Sequence, residues 1–175
     1  MVNASPSQVK LLEELRGQVL DAMHSIEKVR SMRLSTLATI KLGVLRKNAT
    51  QRHGVTRWQR SHAGELTVET VDLHPHLLCE GWEDYAAFVL YHEFLHALGF
   101  RAHDQRFRVL EAMWPHGGSE RGKAFTNAMR SARATWMWKC PSCQQTFPRQ
   151  RPGRGRFVCR TCRAVLLDVP ITNAE

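Results

Sequence analysis

Apolar residues first recur at helical spacing, with Val9, Leu12, Leu15, Val19, Met23 and Ile26 falling on one face. Ser5-Pro6-Ser7-Gln8 precedes them, with Ser5 as cap, Pro6 in the first turn and Gln8 at the capping-box position. The pattern predicts a long amphipathic helix from Pro6 to Arg30. Between Leu34 and Leu73 the period shortens. Ile40, Leu42 and Val44 alternate, Val55 and Trp58 mark a short run, and Leu66 to Leu73 alternates again. Ser61-His62-Ala63-Gly64 reads as a hairpin turn, so a small, mainly antiparallel sheet is expected, with an edge strand bordering a cleft. Helical spacing then returns at Tyr85, Phe88, Val89, His92, Leu95 and His96, and Gly99 is a natural stop. Asp104 suits the start of another helix through Phe107, Leu110 and Met113. After Trp114 and a Pro-Gly break, Ser119 is the expected cap of a last helix reaching about Trp138. Helices and a small sheet that do not alternate regularly make the fold class α+β.

Composition sets the scale. The 175 residues, 43% hydrophobic, allow one main domain, 1–138, and a small module, 139–175. No apolar run approaches a membrane span; the longest is Ala86 to Tyr91. Met1 to Lys10 is polar and lacks the apolar stretch of a signal peptide, so a cytoplasmic setting is expected, nucleoid association included, and no membrane partner. The sequons at Asn3 and Asn48 are then coincidental. The net charge of +9 is unevenly spread. Residues 1–62 hold eleven Lys and Arg against four acids, 63–138 seven against ten, and 139–175 seven against two. A mildly acidic centre is flanked by basic segments.

The chemistry lies in that centre. His92-Glu93-Phe94-Leu95-His96 is an H-E-x-x-H run, and residues four apart on a helix can turn two imidazoles to one zinc ion. Glu93 would act on water there as general base. A catalytic zinc takes three protein ligands, and His103, at the start of the next helix, is the leading third; His116 is the substitute. His74 and His76, flanking Pro75, are cleft-lining at best.

Spacing separates the families that carry such a run. Metzincin peptidases read H-E-x-x-H-x-x-G-x-x-H, whereas Ala102 stands here where their third His falls. The endoribonucleases of ribosomal-RNA maturation share Leu95, Gly99 and an aromatic at Phe100, but have Gly in place of Glu93 and one residue fewer before His103. The chain resembles the SprT-like (Spartan-like) metallopeptidases, whose pattern is H-E-x-x-H, a short loop, then H-x-x-x-F: here His92, Glu93, His96, His103 and Phe107. The strand-like stretch Leu66–Leu73 and the C-terminal cysteines extend the resemblance. It implies a zincin-like core and peptide-bond hydrolysis on proteins held on DNA, DNA–protein crosslinks among them, with single-stranded or crosslinked DNA as partner. In many zinc peptidases the substrate adds as a strand to the sheet edge beside the cleft.

Cys140-Pro-Ser-Cys143 and Cys159-Arg-Thr-Cys162 are two C-x-x-C knuckles that together can close a four-sulfur shell. They read as a zinc ribbon whose fold depends on its ion, giving two Zn2+ per chain, one catalytic and one structural. A redox dithiol pair or an iron–sulfur site is the other reading. Arg149, Arg151, Arg154 and Arg156 cluster with Pro152, Gly153 and Gly155 on the arm between knuckles, which suits a phosphate backbone. Trp136 and Trp138 could stack on bases, although packing at the module junction is favoured. Cys79, alone, reads as a buried small hydrophobe. Tyr85 and Tyr91 are candidates by type for stabilising the oxyanion. The alternatives are a nucleic-acid-binding or transcription-associated zinc protein with an inert site, and a metal-dependent endoribonuclease.

Overall fold

The computed structural model describes residues 4–49, 51–61, 64–118 and 120–171. The chain divides into two compact units, Met1–Gly122 and Lys123–Glu175.

Helix α1, Pro6–Ser25, begins as the sequence dictates. The Ser5 hydroxyl accepts from the Gln8 N–H, and the Gln8 side chain accepts from the Ser5 N–H, closing a capping box. Leu12, Leu15, Val19 and Met23 form its buried stripe, while Val9 stays exposed. The helix stops five residues short of the expected Arg30. The Ile26 backbone is extended, and its N–H bonds to the Met23 carbonyl. A four-residue helix, α2, Glu27–Arg30, follows. Ile26 and Val29 are both buried, on either side of the break.

Strands β1, Leu42–Val44, β2, Gly54–Arg60, and β3, Leu66–Leu73, form a sheet of order β1-β3-β2. The β2–β3 hairpin is antiparallel, as expected, whereas the three-residue β1 runs parallel to β3. At the hairpin turn the Gly64 N–H bonds to the Ser61 carbonyl, and Gly64 takes φ +84°, which glycine adopts without strain. His62 and Ala63 lie outside the described residues. Central β3 is buried from Thr70 to Leu73, and β1 and β2 are the edge strands.

A 3-10 turn, Pro75–Leu78, leads into α3, Glu83–Ala97, which packs on α1, β2 and β3. Helix α4, Gln105–Glu111, starts where Asp104 predicts: its carboxylate accepts from the Phe107 N–H at 2.9 Å. Helix α5, Arg121–Ala132, ends well before Trp138, and the expected Ser119 cap lies outside the described residues. Trp136–Lys139 is instead β4, the central strand of a second sheet with β5, Thr146–Arg149, and β6, Leu167–Pro170, in the order β5-β4-β6. Trp138 therefore packs, but into the core of this small sheet, with Cys140, Cys159 and Leu166. Among the described residues, no helix is long and apolar enough to cross a membrane.

Candidate metal centres and cleft

On α3, His92 and His96 lie one turn apart, and a local motif carries the third imidazole back to them. Gly99 takes φ +107°, its N–H bonds to the His96 carbonyl, and the Phe100 N–H reaches the Leu95 carbonyl. This is a Schellman stop, which turns the chain sharply out of the helix. The same turn presents the Phe100 carbonyl to Nδ1 of His96 at 2.7 Å. His103 then meets the pair just ahead of α4. The three Nε2 atoms stand 3.2 Å (His92–His96), 3.0 Å (His96–His103) and 3.1 Å (His92–His103) apart. His116 is not in this cluster; its ring packs edge-on against Trp114.

Chemistry decides what this triangle suits. His96 must carry its proton on Nδ1 to donate to the Phe100 carbonyl, and Nδ1 of His92 lies 2.6 Å from Oε1 of Glu111. Both rings then turn Nε2 lone pairs inward, and burial lowers both pKa values, keeping them neutral. Converging lone pairs repel unless a cation lies between them. Three nitrogens at ~2.0–2.1 Å from a tetrahedral zinc stand roughly 3.3–3.4 Å apart, so the observed triangle needs to open only a few tenths of an ångström. The triad can hold a metal ion. Glu111, also bound by Arg108 at 2.9 Å, fixes the His92 ring in the way outer carboxylates orient metal-bound histidines.

Glu93 is buried beside the triad, 6% exposed. The Thr56 hydroxyl lies 2.8 Å from its Oε2, and burial pushes its pKa up to about 7. Gly54 makes room for it: a Cβ there would stand 2.8 Å from Cγ and Oε1 of Glu93 and from Val89. Triad, Glu93 and edge strand β2 line one cleft of about 580 Å³, with Tyr85, His53, Arg52, Trp58 and Arg101. The expected edge strand beside a cleft is therefore present. Tyr85 stands in this lining; Tyr91 does not, being fully buried with its hydroxyl donating to the Leu110 carbonyl. His74 and His76 do not line it either. His74 is buried and caps the 3-10 turn, its Nδ1 accepting from the His76 N–H. Cys79, expected to be buried, is exposed, because it ends that turn where the chain enters the Glu80-Gly81 loop. Thr56, Gly54, His53 and Glu111 carry no sequence signal, apart from an Arg108–Glu111 spacing of three.

The two knuckles repeat one geometry. Gln144 and Arg163 take positive φ, their N–H groups bond to the Cys140 and Cys159 carbonyls, and the Cys140 and Cys159 N–H groups bond to Gln145 and Ala164. The four sulfurs of Cys140, Cys143, Cys159 and Cys162 lie within 4.8 Å of one another, and none is in a disulfide. Knuckle N–H groups hold the thiol pKa values of Cys140 and Cys159 down, the latter to about 6, whereas Cys143, despite the Gln145 backbone N–H, is pushed up to about 12 by desolvation and the neighbouring sulfurs. Such a cluster can hold an ion with no open position. Arg149, Arg151, Arg154 and Arg156 are all exposed. Arg149 lies over the Trp138 ring at 4.9 Å, and Asp168 accepts from the Gly153 and Arg154 N–H groups at 2.7 Å, fixing the turn of the arm.

No family model matches the chain, and no solved structure matches it. It is similar to Protein SprT-like of Streptococcus equi subsp. zooepidemicus (strain H70), with 29% identity over 104 residues, covering 55% of this chain and 68% of that protein. That similarity supports the resemblance to the SprT-like family read from the motif and its spacing.

Proposed function

We propose that this chain is a zinc metallopeptidase that hydrolyses peptide bonds in proteins held on DNA. The observation that carries the reading is the convergence of three imidazoles beside a buried carboxylate, in a cleft walled by an open sheet edge. His92, His96 and His103 would hold the catalytic zinc, and the four ribbon cysteines a structural one. A zinc ion held there would supply Lewis acidity, lowering the pKa of water and polarising the scissile carbonyl.

The remaining steps belong to the chain. Glu93, held by Thr56 and with a pKa raised to about 7, takes a proton from the attacking water and returns one to the leaving amine. Outer β2, unpaired on its cleft side among the described residues, can take the substrate backbone as an added strand. Glu111 and the Phe100 carbonyl keep His92 and His96 in the tautomer that leaves Nε2 available. A buried, hydrogen-bonded Glu93 favours a peptidase over a ribonuclease, since a general base at this position has no counterpart in the ribonuclease pattern.

DNA as partner is supported by the ribbon. Exposed Arg149 and Arg160 line one groove with Phe147 and Phe157, an aromatic and cationic surface of the kind that binds unpaired strands. Thiolate metal ligands suit a reducing, cytoplasmic setting. The test is incubation of zinc-loaded protein with an unfolded protein substrate, with and without single-stranded DNA, and with structured RNA in parallel. Peptide products that increase with DNA are expected. Cleaved RNA with intact protein would overturn the reading.

A further inference from the structure

We propose that His53 is a catalytic residue of the cleft, donating a hydrogen bond to the carbonyl oxygen of the scissile peptide as it gains negative charge, with Tyr85 as its positioning residue. The inference rests on the peptidase reading and supplies the charge-stabilising donor that this reading otherwise lacks.

Placement comes first. His53 and Tyr85 line the same cleft as Glu93 and the triad. His53 immediately precedes Gly54, against which the Glu93 carboxylate packs. Successive Cα atoms are about 3.8 Å apart, so the His53 Cα lies within roughly 8 Å of that carboxylate. Tyr85 lies on α3 seven residues before His92, two turns along the same face. Its hydroxyl meets Nδ1 of His53 at 2.6 Å, and the two rings stand edge to face with centroids 5.7 Å apart. The His53 backbone is held as well, its carbonyl accepting from the His74 N–H at 2.7 Å.

Chemistry follows from that contact. In the proposed arrangement the phenol donates to Nδ1, and the neutral imidazole carries its proton on Nε2. Burial acts in the same direction, pushing the Tyr85 phenol up to about 12 and the His53 pKa down. As the water oxygen bonds to the carbonyl carbon, the π pair moves onto the carbonyl oxygen and one water proton passes to Glu93. His53 keeps its own proton and contributes only the hydrogen bond. When the C–N bond breaks, its electron pair stays on nitrogen, which takes the proton from Glu93, and the C=O bond re-forms. No further reactant is required. Arg52 and Arg101 also line the cleft, but both are exposed, and Arg101 lies over the Trp58 ring. A donor already fixed in place contributes more than one that must reorganise.

The test compares His53→Ala, His53→Gln and Tyr85→Phe with the wild type, each with its metal content and unfolding midpoint measured. His53→Ala should lower kcat by about 10²–10³-fold and leave KM within about threefold. His53→Gln, which keeps a neutral donor, should recover part of the loss, and Tyr85→Phe should lower kcat without moving KM. A phosphinic peptide, which mimics the charged oxygen, should bind His53→Ala at least about tenfold more weakly, while the matching product peptide binds equally well. Wild-type kcat in His53→Ala, or unchanged phosphinic-peptide affinity, would overturn the role. If the wild type hydrolyses nothing, the peptidase reading fails, and phosphinic-peptide affinity alone then decides on His53. Absence of phosphinic-peptide binding to the wild type also counts against it.

Discussion

Oε1 of Glu111 lies 2.6 Å from Nδ1 of His92, and its other oxygen is held by Arg108. The carboxylate fixes which nitrogen of His92 faces the other two rings. Glu111→Ala should therefore weaken metal binding at the histidine site by about 10–100-fold, with the cysteine site unaffected. Competition with a chelator of known affinity measures this. Equal affinities would mean that Glu111 does not orient the ring.

Gly54→Ala should disable Glu93 without emptying the metal site. The added methyl would press on Glu93 and Val89 at 2.8 Å, and relief requires the carboxylate to leave Thr56. A stability loss of about 1–3 kcal/mol is expected from the overpacking. Peptide hydrolysis should fall at least about tenfold with metal content unchanged. Unaltered turnover would show that the Glu93 position is not critical.

Metal-free protein should show a pH signature of Glu93. Its folded-state pKa, about 7, stands above the ordinary carboxylate value, so the folded protein binds the extra proton. The Glu93 contribution is fully present in acid and is lost as pH rises through 7, by about 3 kcal/mol at most. Glu93→Gln cannot lose it. Denaturant unfolding of both proteins between about pH 5 and about pH 8 should show the variant gaining on the wild type as pH rises. A constant difference would mean that Glu93 is solvated.

Replacing Arg149, Arg151, Arg154 and Arg156 together with Ala should weaken binding to single-stranded DNA and flatten its salt dependence. Four phosphate contacts correspond to a slope change of up to about 3 in log affinity against log salt. An unchanged slope would remove the arm from any DNA-binding surface.

Much of the site was legible because its determinants are local. The spacing of His92 and His96, the Gly99 stop and the Asp104 cap all act within one or two turns. The alternation over Leu66–Leu73 marked β3 for the same reason. What escaped depends on distant partners. Thr56 meets Glu93, Gly54 clears space for it, and His53 meets Tyr85, each across more than thirty residues. The apolar period of α1 runs on through Ile26, so nothing in it announces the break. Trp136 and Trp138 extend an apolar segment that reads as helix until pairing with β5 and β6 decides for a strand.

The central claim, two distinct metal sites of which one is the histidine triad, is tested most directly by metal content per chain in the wild type, His96→Ala and Glu93→Gln. The expected counts are about two, one and two zinc ions, since Glu93 is not a ligand and His96 is. One zinc in the wild type, or an undiminished count in His96→Ala, would contradict it.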